Sequence, residues 1–335
     1  MSNLLLRRRL MMSGEGRLLT FKAEEANITV SMQAVGSAPA VSLEYNKNDA
    51  GWLPFVVGTT TVTLENIGDY VKFRGTNTAF ASSTDDYNNF VITGQISASG
   101  DLTSILNEVG GDVVLQENAF IAMFRGCTSL VQAPELPSTT LANYCYNAMY
   151  YGCTSLVQVP ELPATSMANS CYSSMFRGCT SLVQAPALPA TSLANSCYNA
   201  MFRGCTSLVQ VPELPAITLA GNCYNSMFYG CTSLVQAPAL PATSLANSCY
   251  NAMFRGCTSI TSHDVATLNN SADMFYNNTA CASFTVHAST PPTIGSDTIT
   301  GLKADCAIYV PAASVDDYKT AQYWSDRTSY IQAIP

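Results

Sequence analysis

Apolar and polar positions recur with a fixed period of 26 residues through the middle of the chain. The units begin at Met123, Met149, Met175, Met201, Met227 and Met253, five complete and the sixth partial. One of them, Met175–Ala200, reads MFRGCTSLVQAPALPATSLANSCYNA. No insertion breaks the register. Such a period predicts a solenoid, a stack of coils in which each touches only its neighbours. Leu130, Leu136, Leu141, Cys127, Cys145, Met149 and their equivalents stay apolar from unit to unit. A single coil cannot bury them, so they must be sealed by the next coil, about 4.8 Å away along a ladder.

Each unit has a local grammar. Asn143, Asn169, Asn195 and Asn247 stand where helix N-caps would stand, and the segment after each, SCYNAMFR in one copy, is long enough for about two helical turns. Gly126, Gly152, Gly178, Gly204, Gly230 and Gly256 follow directly, where a left-handed C-cap is wanted. CTSLVQ then predicts one short strand of a parallel ladder. The P-x-L-P at Pro134–Pro137 and its repeats lacks two backbone donors, which predicts an extended corner outside that ladder.

The flanks differ from the repeats. In residues 17–106 the runs LLTFKA, NITVSMQAV, AVSLEY, WLPFVV, TTVTLEN, YVKFRGT and NFVITGQI alternate with turn residues. They predict an Ig-like β-sandwich, with Trp52 in its core. Residues 107–122, with VVLQENAF, are expected to cap the open edge of a solenoid over 123–257. The period decays over 258–335. There SADMFYNN echoes the repeat, Ala307–Val310 predicts a strand, and Ser314 is placed to cap a helix over VDDYKTAQYW, Asp316 and Asp317 favouring its first turn. This end closes the last coil. The expected fold class is therefore mainly β with short helices. Residues 1–16, MSNLLLRRRLMMSGEG, make a poor secretory signal because Arg7, Arg8 and Arg9 interrupt the apolar residues. They read as a tail or as a docking peptide.

The C-x-x-L motif, the Pro-containing corner and the MF-x-G-C return resemble the BspA-type leucine-rich repeats, over roughly residues 118–335. The ending IYVPAASVDDYKTAQYW resembles the usual C-terminal element of those proteins. The resemblance implies an adhesion or binding role on a bacterial surface or in a phage, and brings no catalytic residues with it. The Leu/Arg opening is similar to that of phage and prophage proteins carrying such repeats.

Charge and cysteine usage narrow the function. The chain carries a net charge of −8. Between Met123 and Cys257 there are four Arg and three Glu, with no Lys, Asp or His, so the acidity lies in the flanks. That argues against a nucleic-acid partner. No apolar run approaches the roughly 18 residues of a membrane span. Eleven of the thirteen cysteines fall in two repeat columns, those of Cys127 and Cys145. Reduced, buried thiols suit such columns better than bridges, for which Cys145 with Cys153 would be the natural pair. Their spacing, without C-x-x-C or a nearby His, does not suit zinc. The acidic loop Ser82–Asn89 fits no calcium-loop pattern. No metal or cofactor is expected.

Nor is an enzyme expected. The two histidines, His263 and His287, read as surface residues of an irregular cap, and a Cys281–His287 pair has no third orienting group. The repeats offer aligned columns instead. Arg125, Tyr151, Arg177, Arg203, Tyr229 and Arg255 precede the glycines, and are of the types that dominate binding hot spots. Tyr146, Tyr172, Tyr198, Tyr224 and Tyr250 form a second column, and Gln132, Gln158, Gln184, Gln210 and Gln236 a third. The expectation is a non-catalytic binding or adhesion protein exposed outside the cell, recognising a protein or glycan on a cell surface. The alternative is a structural virion component, a head decoration or tail-fibre protein, docked on other virion proteins through residues 1–16.

Overall fold

The computed structural model describes residues 17–266, 268 and 272–335. Residues 1–16, read above as a tail or a docking peptide, lie outside them. The chain divides into two compact units, the first ending at Ala164 and the second running from Thr165 to Pro335. The described residues are mainly β, with few short helices.

The first unit begins with eight strands, β1 (Leu19–Ala23), β2 (Ile28–Val35), β3 (Leu43–Lys47), β4 (Leu53–Phe55), β5 (Thr61–Leu64), β6 (Tyr70–Gly75), β7 (Tyr87–Thr93) and β8 (Ile96–Ser99), followed by a one-turn helix α1 (Ser104–Asn107). Alternating burial along β1 and β6 turns every second side chain inward. One sheet runs β4-β3-β6-β1-β8-β9, where β9 is Leu130–Gln132 of the first repeat, and a second runs β5-β2-β7. All pairs are antiparallel except β8–β9. Phe90 of the second sheet meets Phe21 and Phe73 of the first, edge to face, at 4.9 and 5.3 Å. These rings fill the core that Trp52 was expected to fill. Trp52 lies half-buried under the Arg74 guanidinium, 4.1 Å from its ring centre.

The segment preceding each repeat glycine is not a helix. It is a run of four-residue turns with a left-handed residue at every fourth position: Tyr144 (φ 58°), Ala148 (51°) and Gly152 (74°) in one coil, Ser196 (55°), Ala200 (51°) and Gly204 (75°) in another. The six glycines do occupy the left-handed sites expected of them. Alternate N–H groups in the run bond locally, as Cys205 does to Phe202. The others reach the next coil. In the second unit Tyr172, Ser174, Phe176 and Gly178 donate to the carbonyls of Cys197, Asn199, Met201 and Arg203 at 2.7–3.0 Å. A helix would turn every N–H along its own axis. Here half of them build the ladder instead. Left-handed Ala and Ser each cost about 1–2 kcal/mol, and that ladder holds them in place.

Burial follows the same four-residue rhythm. Cys197 and Tyr198, then Met201 and Phe202, then Cys205, are all at most 1% exposed. Two ring columns result. Tyr172, Tyr198, Tyr224 and Tyr250 stack at 5.9–6.0 Å. Phe176, Phe202, Phe228 and Phe254 stack at 5.7 Å. The expected Asn N-caps are instead a ladder of their own: Asn169 Oδ1 accepts from the Asn195 N–H at 3.2 Å, and Asn195 Oδ1 from the Gly221 N–H at 3.0 Å. The expected CTSLVQ strand shrinks to β9 and to single bridges such as Gln184 with Gln210.

Residues 107–122 do not cap the first coil. Their latter half belongs to a coil, with Asn118 and Ala122 left-handed and Phe120, Ala122 and Phe124 donating to Cys145, Asn147 and Met149. Strands β7 and β8 and the connection before β7 supply the cap. The Phe80, Phe90 and Ile96 N–H groups donate to the Ala119, Met123 and Ser129 carbonyls at 2.8, 2.9 and 3.2 Å.

At the other end the period shortens. The offset between paired residues is 26 from Gln184 to Gln210, 21 from Ser262 to Ser283, and 24 from Ser283 to Ala307. There the bridges widen into a parallel sheet of β10 (Ser262–Val265), β11 (Ser283–Val286), β12 (Ala307–Val310) and β13 (Ile331–Ala333). A short helix α2 (Val315–Thr320) follows β12. Ser314 does not cap it through its side chain; its hydroxyl donates to the Ser289 carbonyl at 2.6 Å. Buried Tyr318 and Trp324 donate to the Ala288 and Pro292 carbonyls at 2.9 and 3.0 Å, fixing the end of the chain to the preceding loop.

Candidate binding surfaces

The residue before each repeat glycine projects outward because the pair before it, Met and Phe or Tyr, points in. In the first unit the Arg125 guanidinium sits 5.0 Å from the Tyr151 ring centre. In the second unit Arg203 lies 4.3 Å from Tyr229, and Arg255 lies 5.7 Å from Tyr229 and 4.5 Å from Tyr276. Arg177 is half-buried at its own place in the row. Each cation–π contact contributes about 0.5–1 kcal/mol at such exposure, enough to orient the side chains. Arg255 also pairs with Asp273 at 2.6 Å. Arg203 makes no ion pair among the described residues, so its guanidinium donors are held in place and unspent on a carboxylate. Tyr276 and Asp273 were missed from the sequence. The MFY at Met274–Tyr276 was the available signal, since its Tyr occupies the place that Arg or Tyr holds in MF-x-G.

The tyrosine column is not a surface. Tyr146, Tyr172, Tyr198, Tyr224 and Tyr250 are each at most 1% exposed. Their rings serve packing, because the four-residue rhythm puts them beside the cysteines inside each coil. Burial raises the ionisation of Tyr198, Tyr224 and Tyr250 far above the usual phenol range.

A second surface was not anticipated as a concavity. In the second unit a groove of about 910 Å³ crosses three coils, lined by Gln184, Gln210, Gln236 and by Pro189, Pro212 and Pro238. Val183, Val209 and Val235 are about half-exposed on the same stretch, at 52%, 46% and 49%. The prolines leave no N–H to build a ladder there, so the backbone parts and the groove opens. An adjoining hollow of about 390 Å³ shares Gln236 and ends on Asp264 and His287, whose Oδ1 and Nε2 are 2.7 Å apart.

The Cys281–His287 pair is not assembled. His287 Nε2 is engaged by Asp264, and the Cys281 thiol bonds the Ser283 carbonyl at 3.3 Å. His263, expected at the surface, is 3% exposed, packed on Phe254, Phe275 and Phe284, with Nε2 2.8 Å from Asn278 Oδ1. Burial lowers its ionisation to about 4. No group of His, Cys, Asp and Glu among the described residues is arranged to hold a metal ion. No helix among them is long and apolar enough to cross a membrane.

No protein-family model matches the chain, and no curated protein matches it. Among solved structures, a leucine-rich repeat protein from Bacteroides ovatus ATCC 8483 is similar at 14% identity, over 66% of this chain and 87% of the other, with a TM-score of 0.18. The two folds superpose poorly. Within this chain Leu156 of the first unit and Leu182, Leu208 and Leu234 of the second are all fully buried.

Proposed function

We propose that this chain is a non-catalytic binding protein displayed on a surface, with a β-sandwich and a solenoid of BspA-type repeats that recognises a protein or glycan. The observation that carries the reading is the row Arg203–Tyr229–Arg255–Tyr276, stacked and half-exposed, with the Arg203 donors left for a ligand. Rigid arginine and aromatic side chains lose little entropy on binding and dominate hot spots. The side chains of the row are spaced by one coil, which suits a ligand that is itself extended. A virion-borne form would use the same row.

The test is a screen of the intact protein against glycans and cell-surface proteins, repeated with Arg203→Ala and Tyr229→Ala. Loss of a hot spot predicts at least about a tenfold weaker affinity for each variant. A blank screen, or variants that bind like the parent, sinks the reading. Loss confined to Gln210→Ala would move recognition to the proline-lined groove.

A further inference from the structure

We propose that Cys281 and Cys306 form a disulfide when the protein meets a hydroperoxide, latching the C-terminal cap to the strand before it. The regular coils set the comparison. There four thiols of the first cysteine column donate to a carbonyl one coil back: Cys153 to Phe124 at 3.0 Å, Cys205 to Phe176 at 3.1 Å, Cys231 to Phe202 at 3.1 Å and Cys257 to Phe228 at 3.0 Å. Cys281 is next in that column, and its counterpart acceptor is the Phe254 carbonyl. Asn278 Nδ2 takes that carbonyl instead, at 2.7 Å. The Cys281 sulfur is thereby released from the position its column prescribes, and Cys306 Sγ lies 3.7 Å from it.

The backbone permits the bond. Ser283 pairs with Ala307 on neighbouring parallel strands, and the Ala307 N–H donates to the Ala282 carbonyl at 2.9 Å. Continued outward, that register sets Cys306 beside Ala282 and one position along from Cys281, so spacings of about 4.8 Å across and about 3.3 Å along the strands put the two Cα atoms about 6 Å apart, within the separation of about 4.4–6.8 Å that a disulfide spans. Rotation of the two side chains brings the sulfurs from 3.7 Å to bonding distance.

The two thiols are not equivalent. Contact with Cys281, aided by the positive charge of Arg327, pulls the Cys306 thiol below its usual range, while the same contact and burial push Cys281 up. Burial raises Cys205 and Cys257 of the regular column to about 12, which leaves them protonated and unreactive. Cys306 and Cys281 are as fully buried as those thiols, so the peroxide reaches the pair only through local opening of the C-terminal segment, and there the lowered Cys306 thiol attacks first. Its thiolate sulfur takes the terminal oxygen of the hydroperoxide. The O–O bond breaks, the remaining oxygen leaves with a proton as water or alcohol, and Cys306 becomes a sulfenic acid. Cys281 sulfur then attacks Cys306 sulfur, and the departing hydroxide takes the Cys281 proton as water. Two electrons pass from the two sulfurs to the peroxide.

The experiment exposes the full chain to graded hydrogen peroxide, then denatures, alkylates and maps the products by mass. The expected result is that two of the thirteen cysteines are lost first, recovered as one linked Cys281–Cys306 peptide that dithiothreitol releases. Cys281→Ser should leave a sulfenic acid at Cys306 that dimedone traps. The proposal is overturned if all thirteen lose alkylation at one common dose, if all remain alkylatable, or if the first link joins a regular-column cysteine such as Cys257. Absence of dimedone adduct at Cys306 in the variant overturns the order of attack.

Discussion

Truncating one ring of the phenylalanine column should cost a large share of the stability of its neighbourhood. Phe202 is fully buried, and the rings of Phe176 and Phe228 lie 5.7 Å on either side, tilted by only 4° and 6°. Phe→Ala in a packed core costs about 3–5 kcal/mol. Each stacked pair contributes about 0.5–1.5 kcal/mol beyond area burial, so two pairs place Phe202→Ala in the upper half of that range. Phe202→Leu keeps much of the apolar volume and loses both pairs, for about 1–3 kcal/mol. Native-state hydrogen exchange in rising urea reads the loss coil by coil. Because coils interact with their neighbours, protection should fall most at the Phe176 and Phe202 amides, which donate to Met201 and Met227. An alanine variant destabilised by less than about 1 kcal/mol, the average of ordinary substitutions, would refute the stacked-core account.

Further outcomes follow from backbone and ionisation. Gly230, at φ +72° with nothing within 4 Å of an added Cβ, should lose on the order of 0.5–1 kcal/mol as alanine, the left-handed penalty less the freedom that unfolded glycine gives up. Ser248→Gly, at φ 53°, should gain on the order of 0.5 kcal/mol once the extra freedom of unfolded glycine is subtracted; urea titration checks both. His263 is lowered to about 4, so the unfolded chain binds its proton first, and stability should fall as pH drops from about 6.5 toward 4, by up to about 3 kcal/mol. His263→Gln should flatten that part of the curve. Cys205 and Cys257 are raised to about 12, so their contribution is intact below about pH 8.5 and is lost as pH climbs toward 12, at about 1.4 kcal/mol per pH unit for each thiol. A urea midpoint unchanged between about pH 8 and 10.5 would contradict it.

The period, the buried leucine and cysteine columns, and the left-handed glycines were all legible, because each depends on residue type at a fixed interval. The turn run was not. SCYNAMFR contains good helix formers, and nothing in Ala200 or Ser196 announces a left-handed backbone. Only the spacing does: CY, MF and C in CYNAMFRGC recur every four residues, where a helical face would recur every 3.6. That same spacing would have placed the tyrosines inside, since each directly follows a buried cysteine. The residue type misled because tyrosine is as common at interfaces as in cores. The Asn ladder was hidden for a similar reason: asparagine caps helices and bridges coils with the same carbonyl oxygen.

The turn ladder has a sense. Each coil gives N–H groups to the coil after it and receives on its carbonyls from the coil before, as Phe176, Phe202 and Phe228 do in succession. Two cut faces made one whole period apart are therefore complementary, whichever coil is removed between them. Excising 201–226 would rejoin donors to acceptors, whereas excising one residue more or fewer would turn every alternate amide the wrong way. Array length is thus free to vary in evolution by whole units.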